Sequence, residues 1–141
     1  SAPTSTVFST NYTDGLNESG NDLIAYCFAN CEGYIKSGKY IGNGNTDGAF
    51  VYTGFRPAFI MIKGIVSGAG WNLHDIATSP HNLASTALQA NTGSAELTNY
   101  NIDILSNGFK IRDSDGDLGT DGNTYVYLAM AKNPFKYATA R

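Results

Sequence analysis

The chain has 141 residues, a formal net charge of −3, 16 Gly, 9 Tyr and 7 Phe, and only 15% charged residues. That length bounds one domain with a sizeable core, and low charge with high aromatic content excludes a disordered chain. The few Lys and Arg form no phosphate-neutralising stripe, so no nucleic acid is expected as a partner, and the longest apolar run, 59–62, excludes a spanning helix of roughly 20 residues.

In chain order, short segments rich in Val, Ile, Tyr and Phe alternate with clusters of Gly, Asn, Asp and Thr, the pattern of a many-stranded sandwich. The first segment is 22–29, apolar at nearly every position over 23–29, which suits a central strand covered on both faces or a strand packed at an interface. Beside it stand Cys27 and Cys31. Four residues of extended chain separate their Cα atoms by roughly 13 Å, too far for a disulfide unless the chain turns sharply after Ala29. Zinc would need two further ligands at finger spacing, and the sequence has none, so the reading is free, structural thiols of the commonly buried kind.

Strands are then predicted over 33–41, 49–52, 57–66, 70–76, 101–104, 108–113 and 124–131. The loops between them, notably Gly42-Asn43-Gly44-Asn45-Thr46-Asp47-Gly48, hold residues that tolerate positive φ. Pro57 opens its strand where a missing N–H breaks no ladder, and places Ile60 and Ile62 toward the core. Asn107-Gly108 reads as a hairpin turn using the left-handed region. Only 82–90 hints at helix, one or two turns bounded by Pro80 and Gly93. The fold class is therefore all-β, an antiparallel β-sandwich.

Two segments match each other: Gly20-Asn21-Asp22-Leu23-Ile24-Ala25-Tyr26-Cys27-Phe28-Ala29 and Gly122-Asn123-Thr124-Tyr125-Val126-Tyr127-Leu128-Ala129-Met130-Ala131. A spacing of about a hundred residues is too long for a solenoid and fits whole-domain duplication. Residues 1–32 then form an N-terminal strand pair, either the end of an upstream repeat or strands completing this sandwich, and 33–141 form the sandwich domain.

The phrases Tyr40-Ile41-Gly42-Asn43-Gly44-Asn45-Thr46-Asp47-Gly48, Phe50-Val51-Tyr52-Thr53-Gly54-Phe55-Arg56-Pro57-Ala58-Phe59-Ile60-Met61-Ile62-Lys63 and Leu105-Ser106-Asn107-Gly108-Phe109-Lys110-Ile111-Arg112 resemble a repeat domain of marine bacteriophage tail-fibre or spike proteins, of cyanophage and pelagiphage type. Ala2-Pro3-Thr4-Ser5-Thr6-Val7-Phe8, Ala25-Tyr26-Cys27-Phe28-Ala29 and Asn133-Pro134-Phe135-Lys136-Tyr137 extend the resemblance over nearly the whole chain. It implies a concanavalin-like or laminin-G-like jelly roll and a structural role on the virion surface, outside the host cell. It further implies the C-terminal part of a longer protein or a standalone decoration protein.

Two clusters are candidate sites. Asp113, Asp115, Asp117 and Asp121 alternate with Gly and Ser as oxygen ligands for calcium would, yet the calcium-hand pattern needs a bidentate Glu where Thr124 stands, and a polar hairpin loop with Asx turns is the plainer reading. Trp71, His74, Asp75 and His81 offer ring stacking and charged hydrogen bonds to a sugar, against a core role for Trp71. His74 and His81 lack a third ligand for a metal. No Gly-x-Ser-x-Gly elbow, paired-carboxylate pattern around Glu18, Glu32 or Glu96, or phosphate-cradling loop occurs.

The reading is a non-enzymatic structural module of a phage tail fibre, spike or capsid decoration. Its partners are other virion proteins and further copies of itself, with host attachment as a further role and no catalytic residue or cofactor. The alternative is a lectin-like module that uses calcium to bind host surface glycan.

Overall fold

The computed structural model describes residues 4, 6–10, 19–20, 22–66, 68–114 and 116–135. Among them run strands β1 (Ile35–Ile41), β2 (Phe50–Tyr52), β3 (Pro57–Gly64), β4 (Trp71–Asp75), β5 (Leu88–Gln89), β6 (Ile102–Leu105) and β7 (Gly108–Ile111), one helical turn α1 (Gly116–Gly119), and strand β8 (Thr124–Ala131). All pairings are antiparallel and build two sheets, β1-β8-β3-β4-β5 and β2-β7-β6. The chain is thus an all-β sandwich, as its period-2 patterning predicts.

Alternation decides which side chains meet between the sheets. Ile60 and Ile62 of β3, Tyr125 and Ala129 of β8, Ile102 and Ile104 of β6 and Phe109 and Ile111 of β7 are all almost wholly buried. Four rings lock this core. Tyr40 stacks on Tyr125 at 5.0 Å between centroids, and Phe109 sets its edge against Tyr40 at 6.3 Å and against Tyr127 at 5.4 Å. Offset and edge-on ring pairs stabilise by about 1 kcal/mol each beyond their buried area. Gly38 makes room for the Tyr127 ring, since a Cβ there would lie 2.8 Å from the tyrosine oxygen.

Pro57 is the first residue of β3, as expected, and a bulge separates it from Phe59. The β6–β7 hairpin differs from expectation. It turns on Ser106 and Asn107, and Gly108 already pairs with Leu105 and Tyr52, outside the left-handed region. Glycine is needed there for space, because a Cβ would run into the Val51 carbonyl oxygen.

Three further expectations are corrected. Residues 82–90 are extended: Ala84 bridges Ile102, Ala87 bridges Leu97, and 88–89 pair with β4. Small buried alanines let this stretch lie against both sheets, which outweighs their helix preference. The helical turn falls instead in the aspartate loop. Residues 22–29 form no strand, and Leu23, Ile24, Tyr26 and Phe28 are exposed, because the inner position between β1 and β3 is held by β8. Finally, Cys27 and Cys31 are exposed free thiols, not buried ones.

Candidate functional site

The aspartate loop folds as a plug at one end of the sandwich. Leu118 of α1 is fully buried, and its carbonyl accepts a 2.8 Å hydrogen bond from the Tyr40 hydroxyl. The Tyr125 hydroxyl donates to Gly116 O and accepts from Thr120 N–H, both at 3.0 Å. Burial is the main force raising the Tyr40 phenol far above its ordinary range, with the neighbouring Tyr125 and Asp113 adding to it. Gly119 has no room for a side chain, since a Cβ would strike the Asp113 carbonyl.

Within this plug the four sequence candidates have different situations. Asp117 works as a brace: Oδ1 accepts from Gly70 N–H at 3.0 Å and Oδ2 from the Gln89 amide at 2.8 Å. Asp113 and Asp117 share the rim of a depression of about 320 Å³ with Thr98, Asn99, Tyr100 and Gly116. Asp121 is exposed and lies against Gly44, and Asp115 lies outside the described residues. No three acidic, His or Cys side chains converge on a metal position among the described residues. Asp117→Ala is expected to lower stability by about 2 kcal/mol, the cost of two unpaired donors. Urea unfolding with and without calcium measures it, and equal losses in both identify the brace.

Strand alternation splits the second cluster. Trp71 and Asp75 point to the outer face of the five-stranded sheet, while His74 points into the core. Asp75 caps its own turn: Oδ1 accepts from Ala77 and Thr78 N–H at 2.7 and 2.8 Å, and Oδ2 from the Thr78 hydroxyl at 3.0 Å. The Thr78 backbone bond is the leading cause that lowers its pKa. His81 is exposed on a separate bend. The Trp71 ring, 40% exposed, borders a small cleft of about 90 Å³ with Met61, Lys63, Val126, Tyr127 and Leu128. These neighbours come from two other strands, β3 and β8, so sequence spacing offers no sign of them.

His74 is 1% exposed and neither ring nitrogen makes a hydrogen bond. Burial is the main cause that pushes its pKa down from 6.5 to about 4, opposed in part by the nearby Asp75 charge. Between those two values the unfolded chain carries a proton that the folded chain excludes. Stability is therefore complete above pH 6.5, falls as pH drops toward about 4, and loses about 3 kcal/mol in all from this group. Unfolding titrations at pH 7.5, 5.5 and 4.5 check the slope, and His74→Leu is expected to flatten it.

A larger concavity, unforeseen from sequence, lies where residues 30–36 face residues 52–55. A cleft of about 360 Å³ is bounded by Asn30, Glu32, Lys36, Tyr52 and Phe55, and one of about 480 Å³ adjoins it at Gly33 and Gly54 and reaches Phe135. Lys36 places its ammonium 5.2 Å from the Tyr52 ring centroid, a cation–π contact. Gly33 and Gly54, which line both clefts, have left-handed φ of 71° and 87°.

Residues 1–134 match a family model described as Domain of unknown function (DUF7483). No curated protein and no solved structure matches the chain.

Proposed function

The chain belongs to the DUF7483 family, and we propose that this member is a non-enzymatic assembly module of a bacteriophage virion surface, a tail fibre, spike or capsid decoration of jelly-roll type. The observation that carries this reading is the outer face of the five-stranded sheet. There Trp71 pairs across from Lys63, Met61 lies between Leu73 and Leu128, Phe59 lies beside Met130, and Leu73 faces Leu88. Trp71, Leu88 and Val126 remain exposed on it. A connected apolar face of this kind is what subunit packing covers, and the motif resemblance supplies the virion context.

Sedimentation and imaging of the native particle test it. A symmetric oligomer with this sheet face at the contact is expected, and Val126→Glu should dissociate it without unfolding the sandwich. A monomer at concentrations of hundreds of micromolar would count against the reading. One observation favours a second reading, glycan binding. The half-exposed Trp71 ring beside Lys63 offers a stacking platform with a charged donor next to it. Glycan arrays with and without calcium decide it, and a blank in both conditions removes it.

A further inference from the structure

Leu23, Ile24, Tyr26 and Phe28 stand in water at 53, 81, 80 and 50% exposure. Four large apolar side chains in six residues gain nothing from that position. Their sequence matches β8, and so does the local geometry ahead of it. Gly20 and Gly122, at corresponding places, both adopt left-handed φ, 89° and 71°.

What β8 does with this pattern is visible. It pairs with β1 on one edge and β3 on the other. Tyr125, Tyr127 and Ala129 enter the core, and Leu128 is nearly covered on the outer face. In the alignment Leu23, Ala25 and Cys27 take those three core places, and Ile24, Tyr26 and Phe28 take the outer places of Val126, Leu128 and Met130. A strand apolar on both faces gains most with neighbours on both edges and most of both faces covered, as β8 has.

This sandwich does not offer that position, because β8 fills it. Nor does the segment add to the free edge of β1. The Cys31–Ile35 bridge is the last backbone rung there, and at the next one the Asn30 side chain takes the Ser37 N–H at 2.7 Å and hydroxyl at 3.0 Å. Beyond that point the segment leaves the body. Where it leaves is informative: Phe135 N–H donates to Gly33 O at 3.1 Å, Ala131 N–H donates to Tyr34 O at 2.8 Å, and the Tyr34 and Phe135 rings lie 5.4 Å apart. The entry to this sandwich is stapled to its exit.

We propose that residues 23–29 are the closing strand of a second sandwich of the same design, seated between that domain's counterparts of β1 and β3, with 30–34 as the seam between the two bodies. The partner is a domain of this fold that lacks its own last strand and so presents an apolar slot with two unpaired edges. This inference does not depend on the virion reading.

In the full chain alone, amides of 23–29 are expected to exchange at coil rates, and Tyr26→Asp to leave the melting temperature within about 1 °C. Protection of those amides, or a melting loss in the variant, would assign the segment to this sandwich and overturn the proposal. The missing body is supplied by joining residues 33–121 directly ahead of residues 20–141. Exchange at 23–29 should then slow by about a thousand-fold or more, the mark of a cooperative domain. Tyr26→Asp, in the place of nearly buried Leu128, should abolish that protection and spare β8. Free exchange at 23–29 in the joined chain beside a protected β8 would overturn the proposal.

Discussion

Phe109→Ala is expected to cost the fold about 4 kcal/mol and to lower its melting temperature by roughly 15 °C. The ring is fully buried and is the main aromatic contribution of the three-stranded sheet to the core. It meets Tyr40 and Tyr127 edge-on, at interplanar angles of 81° and 78°. Removing it takes away transfer free energy and leaves a space bounded by rings that cannot follow. Tyr40 is held by its hydrogen bond to Leu118 and its stack on Tyr125, so collapse into the space is blocked. Thermal and urea unfolding measure the loss. A change below about 1.5 kcal/mol, the range of volume-conserving core swaps, would mean that the two sheets are not joined through this ring.

The second large effect is at the neighbouring position. Gly108→Val is expected to destabilise by about 3 kcal/mol through steric conflict alone. A Cβ at 108 runs into the Val51 carbonyl oxygen, and the Phe50 ring stands 3.2 Å away. Both belong to β2, which pairs with β7 through Phe50, Val51 and Tyr52. Relief would require moving backbone and breaking that ladder. Gly108→Ala should show most of the same loss, because the first carbon already conflicts. An unshifted melting curve for either variant would refute this close approach of the two strands.

The second expectation concerns a position whose importance, though not its cause, is visible in the sequence. Asn107-Gly108 suggests a turn that needs positive φ, yet the glycine stands inside the strand and is required for the approach of β2. The sequence of 105–112 shows the hairpin and cannot show which strand lies across from it. The candidate sites divide in the same way. Asp117 looks like a cation ligand from its spacing, and its partners, Gly70 N–H and the Gln89 amide, come from distant segments that no local pattern brings near. His74 looks like a companion of Trp71, and the two-residue period of β4 sends it to the opposite face.

By itself the sequence determined the all-β class, the places of most strands, and the inward pair Ile60 and Ile62. Each of these follows from alternation along one segment, and burial in a sheet repeats every two residues whatever lies across from it. The tertiary structure decided what was not local. Residues 22–29 and 124–131 carry nearly the same apolar pattern, and the second is a central strand while the first is exposed. Pattern shows what such a strand favours, two paired edges and largely covered faces, but only the assembled sheet determines whether that place is open. Here β8 occupies it.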